Sequence, residues 1–175
     1  MPEMEYTHQY PSPLGDILLV SDSEALTSLR FEGRGGSDLP LSGERVEKTL
    51  PVFERTEEWL DIYFSGREPD FTPPLHTAGT DFQLAVWKLL LQIPYGETTT
   101  YGELARRIAA QRGLPRMSAQ AVGGAVGRNM IPIIIPCHRV IGANGSLTGY
   151  GGGIDRKVKL LAMEKATGAP ACLRV

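Results

Sequence analysis

Cysteine and histidine are scarce in this sequence. Its 175 residues contain two cysteines, Cys137 and Cys172, and three histidines, His8, His76 and His138. Two cysteines are too few for a disulfide framework, and these residues form no recognisable zinc-binding pattern. We therefore expect a fold that needs neither disulfides nor a metal, and a function without a cofactor.

Long apolar runs are also missing. No run approaches the ~20 residues needed to cross a bilayer. The first thirty residues hold acids and prolines where a signal peptide would have a basic start and an apolar centre. We expect a cytoplasmic protein without membrane contact. With 42% hydrophobic and 22% charged residues, the chain is typical of a globular protein of one ordinary domain or two small ones.

Positive charge is in deficit in the first half of the chain and in excess in the second. Residues 1–97 carry 7 basic and 17 acidic side chains, whereas residues 98–175 carry 11 basic and 3 acidic. Between 98 and 139 every basic residue is an arginine, and Glu103 is the only acid. Guanidinium groups hold phosphates through paired donors, so this cluster favours a nucleic-acid partner. A solvated surface is the alternative.

The N-terminal part predicts strands followed by a helix. Leu14–Val20 and Ala25–Phe31 are apolar and β-branched and flank a polar turn, which predicts a β-hairpin. Residues 44–64 carry apolar residues at helical spacing, and Pro51 must kink or restart that helix.

A proline-rich connection follows. Residues 66–79 contain three prolines and no helical period, which predicts an extended segment. We place a domain boundary near residue 78. This gives an N-terminal α/β domain, a small sheet with a helix, over 1–78, and a mainly helical domain over 79–175.

Helix start signals dominate the second domain. Thr80 with Gln83 forms a capping box ahead of one helix, and Thr100 with Glu103 repeats it ahead of another. Ser118 opens a third helix. The last two, joined by a glycine-containing turn between arginines, resemble a helix-turn-helix, although the turn exceeds the usual length of about three or four residues.

The helix after Ser118 is nearly bare of side chains. It holds six small residues, Ala119, Ala121, Gly123, Gly124, Ala125 and Gly127. Each glycine costs about 1 kcal/mol relative to alanine in a helix. One interpretation is tight packing on a neighbouring helix. The other is close approach of the backbone to a nucleic-acid groove.

A cysteine follows the most apolar run. Ile131–Ile135 is predicted to be a short buried strand that delivers Cys137. A glycine-rich loop at 141–153 then leads to a last helix from Ile154 to about residue 167, and its predicted apolar face includes Ile154. Glu164 falls at the margin of that face, where a carboxylate can point into a site.

Cys137 has two interpretations. A lone cysteine after an apolar run is usually a small core residue. A nucleophilic cysteine needs an imidazole or a cation that lowers its pKa, and His138 and Arg139 are adjacent. Neighbours in an extended strand point to opposite faces, so contact between Cys137 and His138 requires a turn or a bridging water. Glu164 would be the carboxylate that orients the base.

Four segments resemble one family. They are PCHRVIG at 136–142, AVGGAVGRN at 121–129, TDFQLAVWKLLLQIPYGETTTYGELA at 80–105 and GGGIDRKVKLLAMEKA at 151–166. All are similar to the O-6-alkylguanine-DNA alkyltransferases, also called methylated-DNA-protein-cysteine methyltransferases. The resemblance implies a catalytically silent N-terminal α/β domain and a helical domain whose helix-turn-helix binds the minor groove of double-stranded DNA.

The resemblance also implies an activity. A DNA repair protein of this kind flips O-6-alkylguanine out of the duplex and transfers the alkyl group irreversibly to its own cysteine, so that it acts once. We expect it to work as a monomer. Whether O-4-alkylthymine is also a substrate stays open.

Individual roles follow from the resemblance by position. Cys137 is the alkyl acceptor, His138 takes its proton through water, and Glu164 orients the imidazole. Asn129 braces the cysteine region, and Tyr101 hydrogen-bonds the flipped purine so that neutral guanine leaves. The expected pocket comprises Tyr101, Val140, Tyr150, Gly151 and Gly152, and the expected DNA-binding surface comprises Arg116, Ala119, Gln120, Gly123, Gly124 and Arg128. Without the resemblance, Asn129 reads as a helix cap, Tyr101 as a core aromatic and Glu164 as a surface acid.

Two positions depart from the family pattern. The family commonly has an arginine finger where Gln120 stands, and Asn-Pro where this chain has Asn129 and Met130. Glutamine can fill the space of an extruded base and hydrogen-bond the orphaned cytosine, but it carries no charge.

Two rival functions belong to other classes. One is a non-catalytic damage sensor or DNA-binding regulator; relatives that only sense damage lack the acceptor cysteine, and Cys137 is present. The other is a cysteine hydrolase, which would turn over more than once.

Overall fold

The computed structural model describes residues 4–32, 45–145, 147, 150 and 153–164. The chain divides into two compact units, residues 1–77 and 78–175. Within the described ranges, no helix is long and apolar enough to span a bilayer. Gly151, Gly152 and Cys172, which the sequence analysis names, lie outside the described residues.

The first unit is built on a four-stranded sheet. Strands β1 (Glu5–Ser12), β2 (Gly15–Ser21) and β3 (Leu26–Phe31) are antiparallel neighbours, and β4 (Arg45–Glu47) pairs in parallel with β1. The order is β3-β2-β1-β4. The predicted hairpin is confirmed as β2 and β3. Strand β1 lies outside the predicted elements because its sequence is largely polar and contains Pro11, a residue common at turns.

One helix, α1 (Pro51–Phe64), contacts the first three strands of this sheet. The prediction of helix from residue 44 is wrong, because 45–47 form β4 and the helix begins at Pro51. A proline is favourable at the first helical position, since its missing N–H would have no intrahelical partner there and its φ is already helical. The buried face of α1 comprises Val52, Phe53, Thr56, Trp59, Leu60 and Tyr63.

The proline-rich connection is extended, as predicted, and it pairs with the edge of the sheet. The N–H of Leu26 donates to the carbonyl of Pro74 at 2.8 Å, and the N–H of His76 donates to the carbonyl of Leu26 at 2.9 Å. The edge strand β3 is therefore partly covered, which removes open hydrogen-bonding groups that favour aggregation.

The second unit is mainly helical. Its elements are α2 (Asp81–Leu91), β5 (Thr99–Thr100), α3 (Tyr101–Arg112), α4 (Ala119–Gly127), β6 (Val140–Ile141) and α5 (Ile154–Met163). The predicted helix starts are confirmed: Thr80 forms a complete capping box with Gln83, and Thr100 and Ser118 accept hydrogen bonds from backbone N–H groups three residues on.

A short parallel pairing brings distant parts of this unit together. Thr99 pairs with Val140, and Thr100 pairs with Ile141. Because Tyr101 follows Thr100 directly, the start of α3 lies beside the segment that follows the cysteine. Helix α4 is bonded to α2, since the indole N–H of Trp87 in α2 donates to the carbonyl of Ala125 in α4 at 2.9 Å.

Two predictions about this unit are wrong. Ile131–Ile135 is buried but forms turns, not a strand, and Ile133 has a φ of 75°. Burial on all sides produces a continuous apolar run in a packed loop as well as in a strand, and the prolines at 132 and 136 have no N–H to donate to a ladder. Ile154 is 41% exposed, and the buried face of α5 is formed by Lys157, Leu160 and Leu161.

Candidate active site

Asn129 holds the loop that carries the cysteine. Its amide nitrogen donates to the carbonyl of Ile135 at 2.8 Å, and its amide oxygen accepts from the N–H of Ile131 at 3.0 Å. The two bonds join both ends of the turn that contains Ile133, a β-branched residue in the left-handed region. Such a conformation costs about 1–3 kcal/mol and persists only where the surroundings impose it. The helix-cap interpretation of Asn129 is too narrow, since the side chain braces the whole loop.

Cys137 begins a single turn of 3-10 helix that ends at Arg139. A contact between the side chains of Cys137 and His138 requires the chain to turn at these residues, and the chain does turn there. The residue is 9% exposed and forms no disulfide. Burial raises the pKa of the Cys137 thiol, although a hydrogen bond with Asn129 and the positive charge of Lys157 act in the opposite direction. The described residues that lower the pKa of this thiol are thus Asn129 and Lys157, and burial outweighs them in the free protein.

His138 and Glu164 form a fully buried pair. The imidazole Nε2 lies 2.6 Å from Glu164 Oε2, and both side chains have zero exposure. Burial lowers the pKa of His138, and the charges of Arg139 and Lys157 lower it further, against the opposing effect of Glu164. The imidazole is therefore neutral near neutral pH. A neutral ring that donates from Nε2 to the carboxylate presents Nδ1 as its proton acceptor.

Glu164 is ionised in this setting. Burial alone would raise its pKa, but the hydrogen bonds and charges of His138 and Arg139 lower it to about 2. The Arg139 guanidinium keeps its charge at any relevant pH, so the carboxylate stays anionic while His138 is neutral. The surface-acid interpretation of Glu164 is excluded by its 4% exposure.

Lys157 belongs to the same cluster, and the sequence analysis missed it. Its side chain is fully buried, and Nζ donates to the carbonyl of Val140 at 2.7 Å. Burial lowers the pKa of Lys157, while the charge of a Cys137 thiolate raises it. A protonated lysine therefore stabilises the thiolate once the thiol has lost its proton. The signal available in the sequence was weak: Lys157 lies one turn before Leu160 and Leu161 on the apolar face of α5.

Tyr150 lies within electrostatic reach of the cysteine. Burial raises the pKa of its hydroxyl well above the ordinary value, and the charges of Cys137 and Glu164 contribute in the same direction. Within the described residues, this hydroxyl has no hydrogen-bond partner. Val140, which also belongs to the expected pocket, is fully buried in β6. Gly151 and Gly152 lie outside the described residues, so their expected place in the pocket stays a prediction.

The bare helix α4 has two different faces. A Cβ built on Gly123 would lie 3.6 Å from the ring of Tyr101, whereas a Cβ on Gly124 or Gly127 would meet no atom of the described residues within 4 Å. Gly123 therefore packs against α3, as the packing interpretation expects. Gly124 and Gly127 instead share an exposed face with Gln120, as the groove interpretation expects. Ala119 is also exposed.

The arginines of this unit are not equivalent. Arg106 and Arg107 pair with Glu103, Arg112 lies over the ring of Phe82 at 5.5 Å, and Arg139 is buried. Arg116 and Arg128 are exposed, and neither forms an ion pair with any residue in the described part of the chain. These two flank α4 in sequence, and no described ion pair offsets their charge, so an external anion can bind them.

A buried cysteine beside a neutral imidazole, an ionised carboxylate and a lysine is an arrangement for nucleophilic attack by sulfur. The comparisons agree with this chemistry. Residues 81–166 match the family described as 6-O-methylguanine DNA methyltransferase, DNA binding domain, and residues 6–77 match 6-O-methylguanine DNA methyltransferase, ribonuclease-like domain.

Individual relatives are similar over nearly their whole length. The methylated-DNA-protein-cysteine methyltransferase of Haemophilus influenzae is 45% identical over 166 residues, which cover 94% of this chain and 88% of the relative. The crystal structure of Mycobacterium tuberculosis OGT in complex with DNA has a TM-score of 0.77 and 43% identity and covers 98% of both chains. That of the M. tuberculosis O6-methylguanine methyltransferase has a TM-score of 0.76 and 43% identity and covers 96% of both chains.

The chain belongs to the methylated-DNA-protein-cysteine methyltransferases, as the resemblance of its motifs predicts. It is a DNA repair protein that transfers an alkyl group from DNA to cysteine, with a ribonuclease-like N-terminal domain and a helical DNA-binding domain.

Proposed function

We propose that Cys137 is the acceptor and that its proton passes to His138. The thiolate sulfur attacks the alkyl carbon on O-6 of guanine, the S–C bond forms, and the O–C bond breaks. The purine takes up one proton, which balances the proton that Cys137 gave to His138, and leaves as neutral guanine; a hydrogen bond from the Tyr101 hydroxyl assists its departure. The single observation that carries this assignment is the position of Cys137 in the same turn as the buried His138, whose Nε2 is bonded to Glu164.

Activation of the thiol requires proton transfer within a buried pair. Because burial raises the pKa of Cys137 and lowers that of His138, the resting pair is neutral. Moving the proton from sulfur to imidazole creates a thiolate, which the charge of Lys157 stabilises, and an imidazolium, which is bonded to Glu164. The buried cluster thus provides preorganised electrostatic stabilisation for the ion pair, which is the principal way in which protein sites favour charge separation.

We further propose that α3 and α4 dock double-stranded DNA through its minor groove, and that the protein acts as a monomer. The exposed face with Gln120, Gly124 and Gly127 would approach the groove closely, and Arg116 and Arg128 would contact phosphates on either side. Gln120 would fill the gap left by the flipped base. The support is the open space at Gly124 and Gly127 and the absence of a described ion pair at either arginine. The Mycobacterium tuberculosis OGT whose crystal structure is in complex with DNA has the same fold.

The reaction is expected to happen once per molecule. A thioether is stable to the bases and nucleophiles of the cluster, and its cleavage would need a group that is stronger than any of them. The protein would then be consumed stoichiometrically. Its expected cytoplasmic location stays a prediction.

Intact-mass measurement after incubation with an O-6-methylguanine oligonucleotide tests the proposal. We expect each chain to gain the mass of one methylene and no more, and peptide mapping to place it on Cys137. Cys137→Ser should bind the same DNA without a mass gain. DNA binding by the parent protein without any mass gain would instead make it a sensor or regulator. Release of more than one equivalent of product would identify a hydrolase.

A further inference from the structure

Arg139 is the buried arginine of the site and has three attachments. Its Nε donates to Glu164 Oε1 at 2.7 Å, and its Nη1 donates to the carbonyl of Ile93 at 2.7 Å. Its guanidinium carbon lies 5.6 Å from the centre of the Tyr95 ring. The residue is 8% exposed. Arginine is rarely buried to this degree unless its charge is fully paired.

The attachments determine which carboxylate oxygen serves the histidine. Arg139 occupies Oε1 of Glu164, while Oε2 faces His138 at 2.6 Å. A planar guanidinium that is also bonded to Ile93 cannot rotate without losing one of these bonds. The plane of the carboxylate, and with it the position of the imidazole, is therefore held by Arg139 from Ile93, two residues beyond the end of α2 at Leu91. The N–H of Gly96 adds a longer hydrogen bond to Oε1 at 3.4 Å.

Arg139 also affects charge at the histidine in two opposing ways. It keeps Glu164 ionised, which favours a protonated imidazole. As a cation near the ring it opposes that same protonation, and Lys157 does so as well. The charged groups that act on His138 are thus Glu164, Arg139 and Lys157, and Tyr150 adds a hydroxyl near Glu164. Glu164 keeps its hydrogen bond with His138, which itself lowers the pKa of the carboxyl, so loss of the Arg139 cation mainly removes its repulsion of the imidazolium and should raise the pKa of His138.

We propose that Arg139 is a positioning residue for alkyl transfer, which anchors the His138–Glu164 pair to the end of α2 and sets the imidazole for the proton of Cys137. The proposal rests on the roles proposed above for Cys137, His138 and Glu164. It goes beyond them because Arg139 acts through Glu164 and needs no contact with DNA.

The test of this proposal is single-turnover alkyl transfer by Arg139→Lys and Arg139→Gln, measured at saturating DNA across a range of pH. Lysine keeps the charge but cannot bond Glu164 and Ile93 through one planar group, so we expect the rate to fall by about 10- to 100-fold with little change in the pH midpoint. Glutamine removes the cation. His138 should then hold its proton to higher pH, and the midpoint of the acid limb should move upward. Arg67→Gln, which removes an exposed charge in the first unit, should change neither quantity.

A purely structural role predicts a different result. It would lower the unfolding midpoint and the fraction of molecules that react, while the rate and pH profile of the reactive fraction stayed at parental values. That outcome in both variants would overturn the proposal. If Arg139→Gln does not fold, NMR titration of the His138 ring in Arg139→Lys replaces it, and chemical shifts and pKa equal to those of the parent would count against positioning. Failure of the parent protein to transfer the methyl group would instead sink the proposed function itself.

Discussion

Glu164 connects the ionic groups of the site, because one carboxylate serves both His138 and Arg139. Loss of either Glu164 or Arg139 leaves the other as an unpaired charge inside the protein, where water cannot reach it. Breaking such a buried pair typically costs about 3–5 kcal/mol. At this residue, therefore, stability and chemistry cannot be separated, and substitution should affect both.

The ionisation of Glu164 should make the protein sensitive to acid. Its pKa is about 2 in the folded protein against an ordinary value of 4.5, so the unfolded chain takes up the proton first as the pH falls. The contribution, on the order of 3 kcal/mol, is present above pH 4.5 and is lost as the pH falls through 4.5 toward 2. Urea unfolding at a series of pH values measures it.

A matched pair of variants isolates this effect. Glu164→Gln should be less stable at neutral pH, and its stability should change less over the acid range. Glu103→Gln removes an exposed carboxylate that also pairs with arginines, and we expect a small effect because solvent screens such pairs. Equal acid slopes for the parent and Glu164→Gln would contradict the assignment.

Some residues of the site could be identified from sequence and others could not. Cys137 and His138 are adjacent, and helical spacing places Glu164 beside the apolar face of α5. Lys157 and Arg139 could not be identified as buried, because a charged residue in a helix or turn is normally solvated. Only the three-dimensional arrangement shows that the carbonyls of Val140 and Ile93 accept their hydrogen bonds.

At the scale of elements, the glycines on the face of α4 that we assign to DNA lower the stability of this helix. Gly124 has open space around the position of a Cβ. We predict that Gly124→Ala raises the unfolding free energy by about 1 kcal/mol, because alanine is the better helix former. The same methyl group should hold DNA away and weaken binding several-fold.

The two effects of Gly124→Ala are measured separately. Thermal unfolding without DNA gives the first, and titration of a duplex oligonucleotide gives the second. A stabilised variant with parental DNA affinity would show that the exposed face of α4 does not approach the groove.

Element prediction succeeded where capping residues mark a boundary and was wrong where burial alone was the signal. Thr80, Thr100 and Ser118 each start a helix as their side-chain chemistry predicts. The prediction of a strand at Ile131–Ile135 was wrong because Asn129 donates one hydrogen bond to this run and accepts another from it, and the two bonds hold it as a loop. Asn129 lies two residues before the run, and the apolar pattern of the run does not show that the Asn129 side chain bonds to it.

For the whole molecule, charge is divided between the two halves of the sequence, and only part of the positive charge is available. Of the six arginines between 98 and 139, Arg106 and Arg107 pair with Glu103, Arg112 lies over the ring of Phe82 and Arg139 is buried, whereas Arg116 and Arg128 are exposed with none of these contacts described. The composition therefore overstates the number of phosphate contacts, since it counts arginines that the fold has already paired or buried.

The salt dependence of DNA binding should reflect that smaller number. Each phosphate contact contributes a slope of about −0.9 in a plot of log affinity against log salt. We predict that Arg128→Ala reduces the magnitude of the slope by about 1, while Arg67→Ala leaves it unchanged. Fluorescence anisotropy at several salt concentrations measures both. An unchanged slope for Arg128→Ala would remove this arginine from the interface.

The pairing of Thr99–Thr100 with Val140–Ile141 also bears on how quickly a working molecule can be made. It closes a loop of roughly 40 residues, and the entropy lost in such a closure must be paid before distant contacts reward it. Helices α2 to α4 can form while the chain is still being synthesised, whereas the turn that carries Cys137 takes its place only when β5 and β6 pair. On the proposed single use of each molecule, replacement depends on fresh synthesis. The time needed for this loop closure then contributes to a cell's capacity to clear lesions.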